Sequence, residues 1–298
     1  MKKTFALLLS LVSTIAAAQG RELQPLPPDR LSAVLTFFAI DTSVPLDAHV
    51  VDRGMVQGFI REKIVFTGAR GARVPAYLSF PDLGGAHPLV LLLHAGASSK
   101  ESWWQADGYE RAASLTRKLL EAGFAVFAMD ARNHGERSNG VDYVPIPSLY
   151  FNNKWWATFR AMVVETSGDH LRALQYLSSR TEVDLRRIGT VGQSMGGFTA
   201  FYLAALDPRI AVIVAGAPAL GEPWLYPLTA MNFSTAIKGR PVLVLAGDKD
   251  QLIPQTNTDL LMSQLGSGAQ LHMLSSDHRL PVEYTDVAFN WLQTRLRR

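Results

Sequence analysis

The sequence predicts an α/β domain with a mainly parallel central sheet, an antiparallel start and helices on both faces. Three observations carry this. Five nearly continuous apolar runs, Leu89–Leu93, Ala125–Met129, Ile188–Val191, Ala211–Val214 and Val242–Leu245, have the pattern of strands buried on both faces. Segments with helical spacing separate them, so strand and helix alternate along most of the chain. The composition fits a single globular domain: 298 residues, 48% hydrophobic, 18% charged and no Cys. It excludes a disulfide scaffold, a thiolate metal site and a cysteine nucleophile.

Taken in order, Lys2 and Lys3 precede the apolar run Phe5–Ala17, and Ala16-Ala17-Ala18 supplies small residues for a signal-peptidase cut. Residues 1–18 therefore read as a signal peptide, too short for a membrane span of about 20 residues. The mature chain is expected to be exported, periplasmic or extracellular, with no membrane anchor. Without those two lysines the formal charge falls from +3 to +1, which gives no support for a nucleic-acid partner. Residues 19–58 hold Pro25, Pro27, Pro28 and Pro45 and read as an irregular wrap with one short helix over 31–38. Residues 59–298 are expected to form the α/β domain. Its antiparallel start is the pair 60–66 and 74–80, joined through Thr67-Gly68-Ala69-Arg70-Gly71. Helices are expected over 109–122, 169–179, 195–206, 256–265 and 282–296, and a last strand over 270–274.

In open parallel sheets the reactive groups sit on loops at the carboxyl ends of the strands. After Val191 comes Gly192-Gln193-Ser194-Met195-Gly196-Gly197, a G-x-S-x-G match between a buried strand and a helix. A nucleophile on so tight a turn needs small neighbours, and the helix N-terminus directs free N–H groups at a developing oxyanion. A serine hydroxyl also needs a base, and the base an orienting acid. Gly247-Asp248-Lys249-Asp250 follows the fifth run and Asp277-His278 follows the last strand. His278 is preferred over His272, which lies within that strand, because a base must reach the serine from a loop. The remaining histidines, His49, His87, His94, His134 and His170, have no metal-ligand spacing, so no metal is expected. No phosphate-binding glycine loop is present, and no cofactor is expected.

These motifs, with Val74-Pro75-Ala76-Tyr77-Leu78, Leu91-Leu92-Leu93-His94-Ala95-Gly96, Asp130-Ala131-Arg132-Asn133-His134-Gly135-Glu136 and Val183-Asp184-Leu185-Arg186-Arg187-Ile188-Gly189, resemble the α/β-hydrolase superfamily. Within it the chain is similar to the serine-esterase branch of dienelactone hydrolase-like proteins and acetyl xylan esterases. The resemblance implies a triad of Ser194, Asp250 and His278, with the acid at Asp250 and not Asp248. It also implies a backbone oxyanion hole from Met195 and either Gly96 or Ala97, with His94 bracing that loop. Dienelactone hydrolases use a cysteine nucleophile, so their substrate does not carry over. The implied activity is hydrolysis of carboxylic esters, short acyl or acetyl, of a small molecule or saccharide. A prolyl-oligopeptidase-type peptidase, a thioesterase or acyltransferase, and a non-catalytic binding module are the alternatives.

Residues 137–168 exceed a tight strand-to-helix link and read as a lid insertion. Trp155, Trp156 and Phe159 lie on one helical face there. They are candidates for a substrate-pocket wall, with Trp103 and Trp104 on the oxyanion side, although packing against the sheet would use the same face.

Overall fold

A computed structural model describes residues 20–140 and 143–296. The signal-peptide reading of residues 1–18 lies outside them. One sheet holds nine strands: β1 (His49–Val56), β2 (Phe59–Thr67), β3 (Arg73–Phe80), β4 (His87–Leu93), β5 (Ala125–Met129), β6 (Val183–Gln193), β7 (Ile210–Gly216), β8 (Val242–Gly247) and β9 (Ala269–Leu274). Their spatial order is β1-β2-β3-β5-β4-β6-β7-β8-β9. The pairings β1–β2, β2–β3 and β3–β5 are antiparallel, and all the others are parallel.

The continuous apolar runs are explained by burial on both sides. In β4, Leu89, Leu91 and Leu93 enter one core while Val90 and Leu92 enter the other. β5 and β8 divide their side chains in the same way, as the period of two in a strand requires. The helices are α1 (Pro28–Leu35), α2 (Ala113–Glu121), α3 (Ile146–Phe151), α4 (Trp156–Leu177), α5 (Met195–Leu206), α6 (Gln255–Leu265) and α7 (Tyr284–Leu296). α4, α5 and α6 cover the first core, and α2 and α7 cover the second.

Three boundaries differ from the sequence expectation. The wrap contains β1, which adds an edge strand through pairs from His49–Val65 to Val56–Phe59. It was illegible because the strand is exposed almost throughout and has no alternating burial to leave a pattern. α2 starts at Ala113 and not at 109: Arg111 has φ 52°, and the Asp107, Gly108 and Tyr109 carbonyls accept hydrogen bonds from the Arg279 guanidinium. α4 begins at Trp156 and not at 169, so the second half of the insertion is helix. Thr166-Ser167-Gly168 weakens the helical signal there. Packing overrides it, since a Cβ at 168 would press on Ala69 and Ile40.

Candidate active site

Ser194 occupies the turn between β6 and α5, with φ 54° and ψ −112°. The turn is possible because nothing larger than glycine fits beside it. A Cβ at 192 would overlap the Gly196 backbone, and one at 196 would overlap the Leu93 carbonyl. The Ser194 N–H donates to the Gly216 carbonyl at 2.7 Å, locking the turn to β7.

The loops after β8 and β9 bring two further side chains to it. Ser194 Oγ lies 2.9 Å from His278 Nε2, and His278 Nδ1 lies 2.8 Å from Asp250 Oδ2. Asp250 Oδ1 accepts the backbone N–H groups of Leu252 at 2.8 Å and Ile253 at 3.1 Å, so both carboxylate oxygens are committed. The neighbouring Asp248 turns away and accepts the Ser276 N–H at 3.0 Å. His272 stands exposed on β9, far from this chain of contacts in role.

Met195 is the first residue of α5, where an N–H has no acceptor within the helix. Gly96 and Ala97 line the same cavity as Ser194 and Met195. Their loop is held from three sides. Glu110 Oε1 accepts the Ala95 N–H at 2.8 Å, and its other oxygen takes the hydroxyls of Ser98 and Ser102. His94 donates from Nδ1 to the Ala95 carbonyl at 2.8 Å and accepts the Ala131 N–H on Nε2 at 2.9 Å. His134 Nε2 meets the Gly96 carbonyl at 2.9 Å. Burial drives the His94 pKa down to about 3, so this ring is a neutral brace. Burial likewise lowers His134 and raises Glu110, the latter against the pull of its hydrogen bonds from Ala95, Ser102 and Ser98.

A cavity of about 430 Å³ opens over Ser194 and His278. Trp156 and Phe159 line it, together with Tyr150, Phe198, Trp224 and Leu225. The other proposed wall is corrected. Trp103 is fully buried and Trp104 nearly so in the core under α2 and α7, where Trp104 packs edge-on against Tyr77 at 5.4 Å. Trp155 is also absent from the lining and packs against the first core. Trp103 and Trp104 belong to a short 3-10 turn after the Gly96-Ala97 loop, and both pack in the second core. Sequence reasoning missed Glu110, for which no motif exists, and missed the contact of Tyr150, whose hydroxyl donates to Met195 Sδ at 2.9 Å. A second cavity of about 610 Å³ adjoins across Gly96, Ala97, Tyr109 and Ile146, with Ser98, Gln105, Asn133 and Ser138 in its walls. Among the described residues no group of three or more His, Asp or Glu is placed to hold a metal ion.

A mainly parallel sheet with an antiparallel start, and a tight strand-to-helix turn that carries Ser194 at φ 54°, define the class, and the family comparison agrees. Residues 88–233 match the α/β hydrolase fold family, and the chain has that fold. Among particular proteins, it is 29% identical over 218 residues to the putative hydrolase YtaP of Bacillus subtilis, covering 65% of this chain and 71% of the relative. Its structure is similar to acetyl xylan esterase 1 from a Thermoanaerobacterium species, with TM-score 0.70, 22% identity and coverage of 91% and 95% of the two chains. A cold-adapted esterase from an Arctic intertidal metagenomic library is similar with TM-score 0.65 and 21% identity, over 83% of this chain and 98% of that one.

Proposed function

We propose that the chain is a serine hydrolase that cleaves carboxylic esters through an acyl-enzyme. The observation that supports this most is the unbroken contact from Asp250 through His278 to Ser194, at 2.8 and 2.9 Å, opening on one cavity. His278 Nε2 takes the Ser194 proton as Oγ attacks the ester carbonyl, and Asp250 holds the proton on Nδ1. The Met195 N–H and an N–H of Gly96 or Ala97 stabilise the tetrahedral oxyanion, by about 3 kcal/mol per donor. His278 then returns the proton to the leaving alcohol. Water, deprotonated by the same nitrogen, attacks the acyl carbon; the bond from the acyl carbon to Ser194 Oγ breaks, His278 gives the proton back to Oγ, and the acid leaves. The adjoining cavity leaves room for the remainder of a larger substrate, such as a saccharide.

Ser194→Ala is expected to abolish both p-nitrophenyl ester turnover and labelling by a fluorophosphonate probe while the protein stays folded. Retained turnover in that variant would overturn the assignment. We further propose export, on the basic start, the short apolar run and the three alanines; among the described residues no helix is long and apolar enough to cross a membrane. N-terminal sequencing of the mature protein is expected to begin at Gln19, and a protein still starting at Met1 would refute export.

A further inference from the structure

The cavity over Ser194 is larger and more apolar than an acetyl group requires. An acetyl group has three heavy atoms and fills roughly 90 Å³ at about 30 Å³ for each water-sized unit, whereas the cavity holds about 430 Å³. Its enclosed end is a set of rings in mutual contact. Trp156 and Trp224 stack with centroids 5.1 Å apart, Phe159 meets Trp224 edge-on at 5.0 Å and Tyr150 at 4.8 Å, and Phe198 lies 6.3 Å from Phe159. Phe159 and Phe198 are buried, with 3% and 2% of their surface exposed. Apart from His278, the charged or titratable lining is Tyr109, Tyr150 and Glu222, and Glu222 is exposed. A two-carbon acyl group would leave the half-buried rings of Trp156, Trp224 and Tyr150 against water, while a larger apolar group covers them.

The wall begins one helical turn from the serine, beside the bond that an acyl group would form. Phe198 is four residues beyond Ser194 on α5, one turn along from the bond that the acyl group forms. The leaving alcohol must stay beside His278. That ring is tied through Asp250 to the Leu252 turn, where Leu252 is 59% exposed, so the alcohol faces the open rim.

Resting on the ester-hydrolase reading, we propose that the substrate of this site carries a bulky apolar acyl group, an aromatic ring or a chain of six or more carbons, seated against Trp156, Phe159, Phe198 and Trp224. Each additional buried methylene is expected to raise kcat/KM about fourfold, from the transfer of one CH₂ out of water.

The test uses the full chain and two ester series followed by pH-stat. Methyl acetate, butyrate, hexanoate and benzoate vary the acyl group; methyl, hexyl and benzyl acetate vary the alcohol. The expected result is a rise of about 250-fold in kcat/KM from methyl acetate to methyl hexanoate, which adds four methylenes at about fourfold each, a benzoate rate above acetate, and a much smaller change along the alcohol series. Acetate as the best acyl group, or a rise confined to the alcohol series, would overturn the inference. Ala219→Leu, which adds bulk to the cavity lining, is expected to lower the hexanoate-to-acetate ratio at least about fivefold by removing room for the chain. Trp156→Ala, at a half-buried helix start, is expected to lower the same ratio if the first variant does not fold. An unchanged ratio would overturn the proposed seat. Ser194 labelled by fluorophosphonate with acetate preferred refutes this inference alone; no labelling and no ester turnover refutes the reading beneath it.

Discussion

At the scale of single residues, the bonds of Asp250 make a sharp prediction. Its Oδ1 is already occupied by the N–H groups of Leu252 and Ile253, and only Oδ2 faces the imidazole. In Asp250→Asn the amide oxygen keeps the two backbone donors, so the NH₂ group is turned toward His278 Nδ1. That nitrogen must then be the acceptor, which moves the ring proton to Nε2 and leaves nothing to receive the Ser194 proton. A fall in kcat of about 10⁴ is expected with little change in melting temperature. Steady-state kinetics beside a thermal melt checks it, and a loss under about tenfold would show that Asp250 does not set the tautomer. Ser194, Asp250 and His278 were readable because each follows an apolar run directly, in an order that loops at one sheet edge can bring together. Choosing Asp250 over Asp248 came from resemblance; the hydrogen bonds give it a physical basis.

At the scale of elements, one buried cluster joins the end of β5, the turn after the Gly96-Ala97 loop and the segment that leads to α3. Lys100 and Asp130 are fully buried and 2.8 Å apart, and Lys100 Nζ also reaches Glu136 at 2.6 Å. The Asp130 carboxylate accepts the backbone N–H groups of Lys100 at 2.9 Å and Glu136 at 3.0 Å. Burial works against the Lys100 charge, but these acidic partners outweigh it and hold its pKa above the ordinary value. Asp130→Ala removes the fully buried partner of the Lys100 ammonium, leaves the partly exposed Glu136 as its nearest acid and unpairs two backbone N–H groups, and the expected loss is about 3 kcal/mol. Denaturant unfolding measures this; a loss below about 1 kcal/mol would mean that Glu136 alone supports the charge. A second pair, Arg137 with Asp169 at 2.7 Å, ties the start of the 137–168 segment to α4. Neither pair was legible in the sequence, because the partners come from separate elements and follow no periodicity.

For the whole molecule, stability is expected to depend on pH through buried rings. Burial lowers His94 to about 3 and His170 to about 4, against 6.5 for an ordinary imidazole. Between pH 6.5 and 4 the unfolded chain therefore binds protons that the folded one refuses. The contribution is complete above 6.5 and is lost as pH falls, by about 2 kcal/mol for His94 at pH 5. Glu110 and Asp169, whose carboxyls burial raises, act in the opposite sense and favour acid. The difference between the wild type and His94→Gln isolates the imidazole. The wild type is expected to lose more stability than the variant between pH 7.5 and pH 5, measured by guanidinium unfolding at each pH. Equal losses would refute a neutral, buried His94.

The sequence by itself determined the layered α/β fold and the turn that holds Ser194. Both are local: strands buried on two faces must be apolar throughout, and a strained turn pressed on Leu93 and its own helix admits only glycine at 192 and 196. Only the tertiary structure decided which aromatic side chains face the cavity. Trp103, Trp104, Trp155, Trp156 and Phe159 are equally apolar in sequence, yet the first two are spent in the core beneath α2 and α7, while Trp156 and Phe159 meet Trp224 from a distant loop. The burial of a large ring is favourable wherever it packs. Which ring remains at the site is set by where separate elements close against one another, and no periodicity in the chain records that.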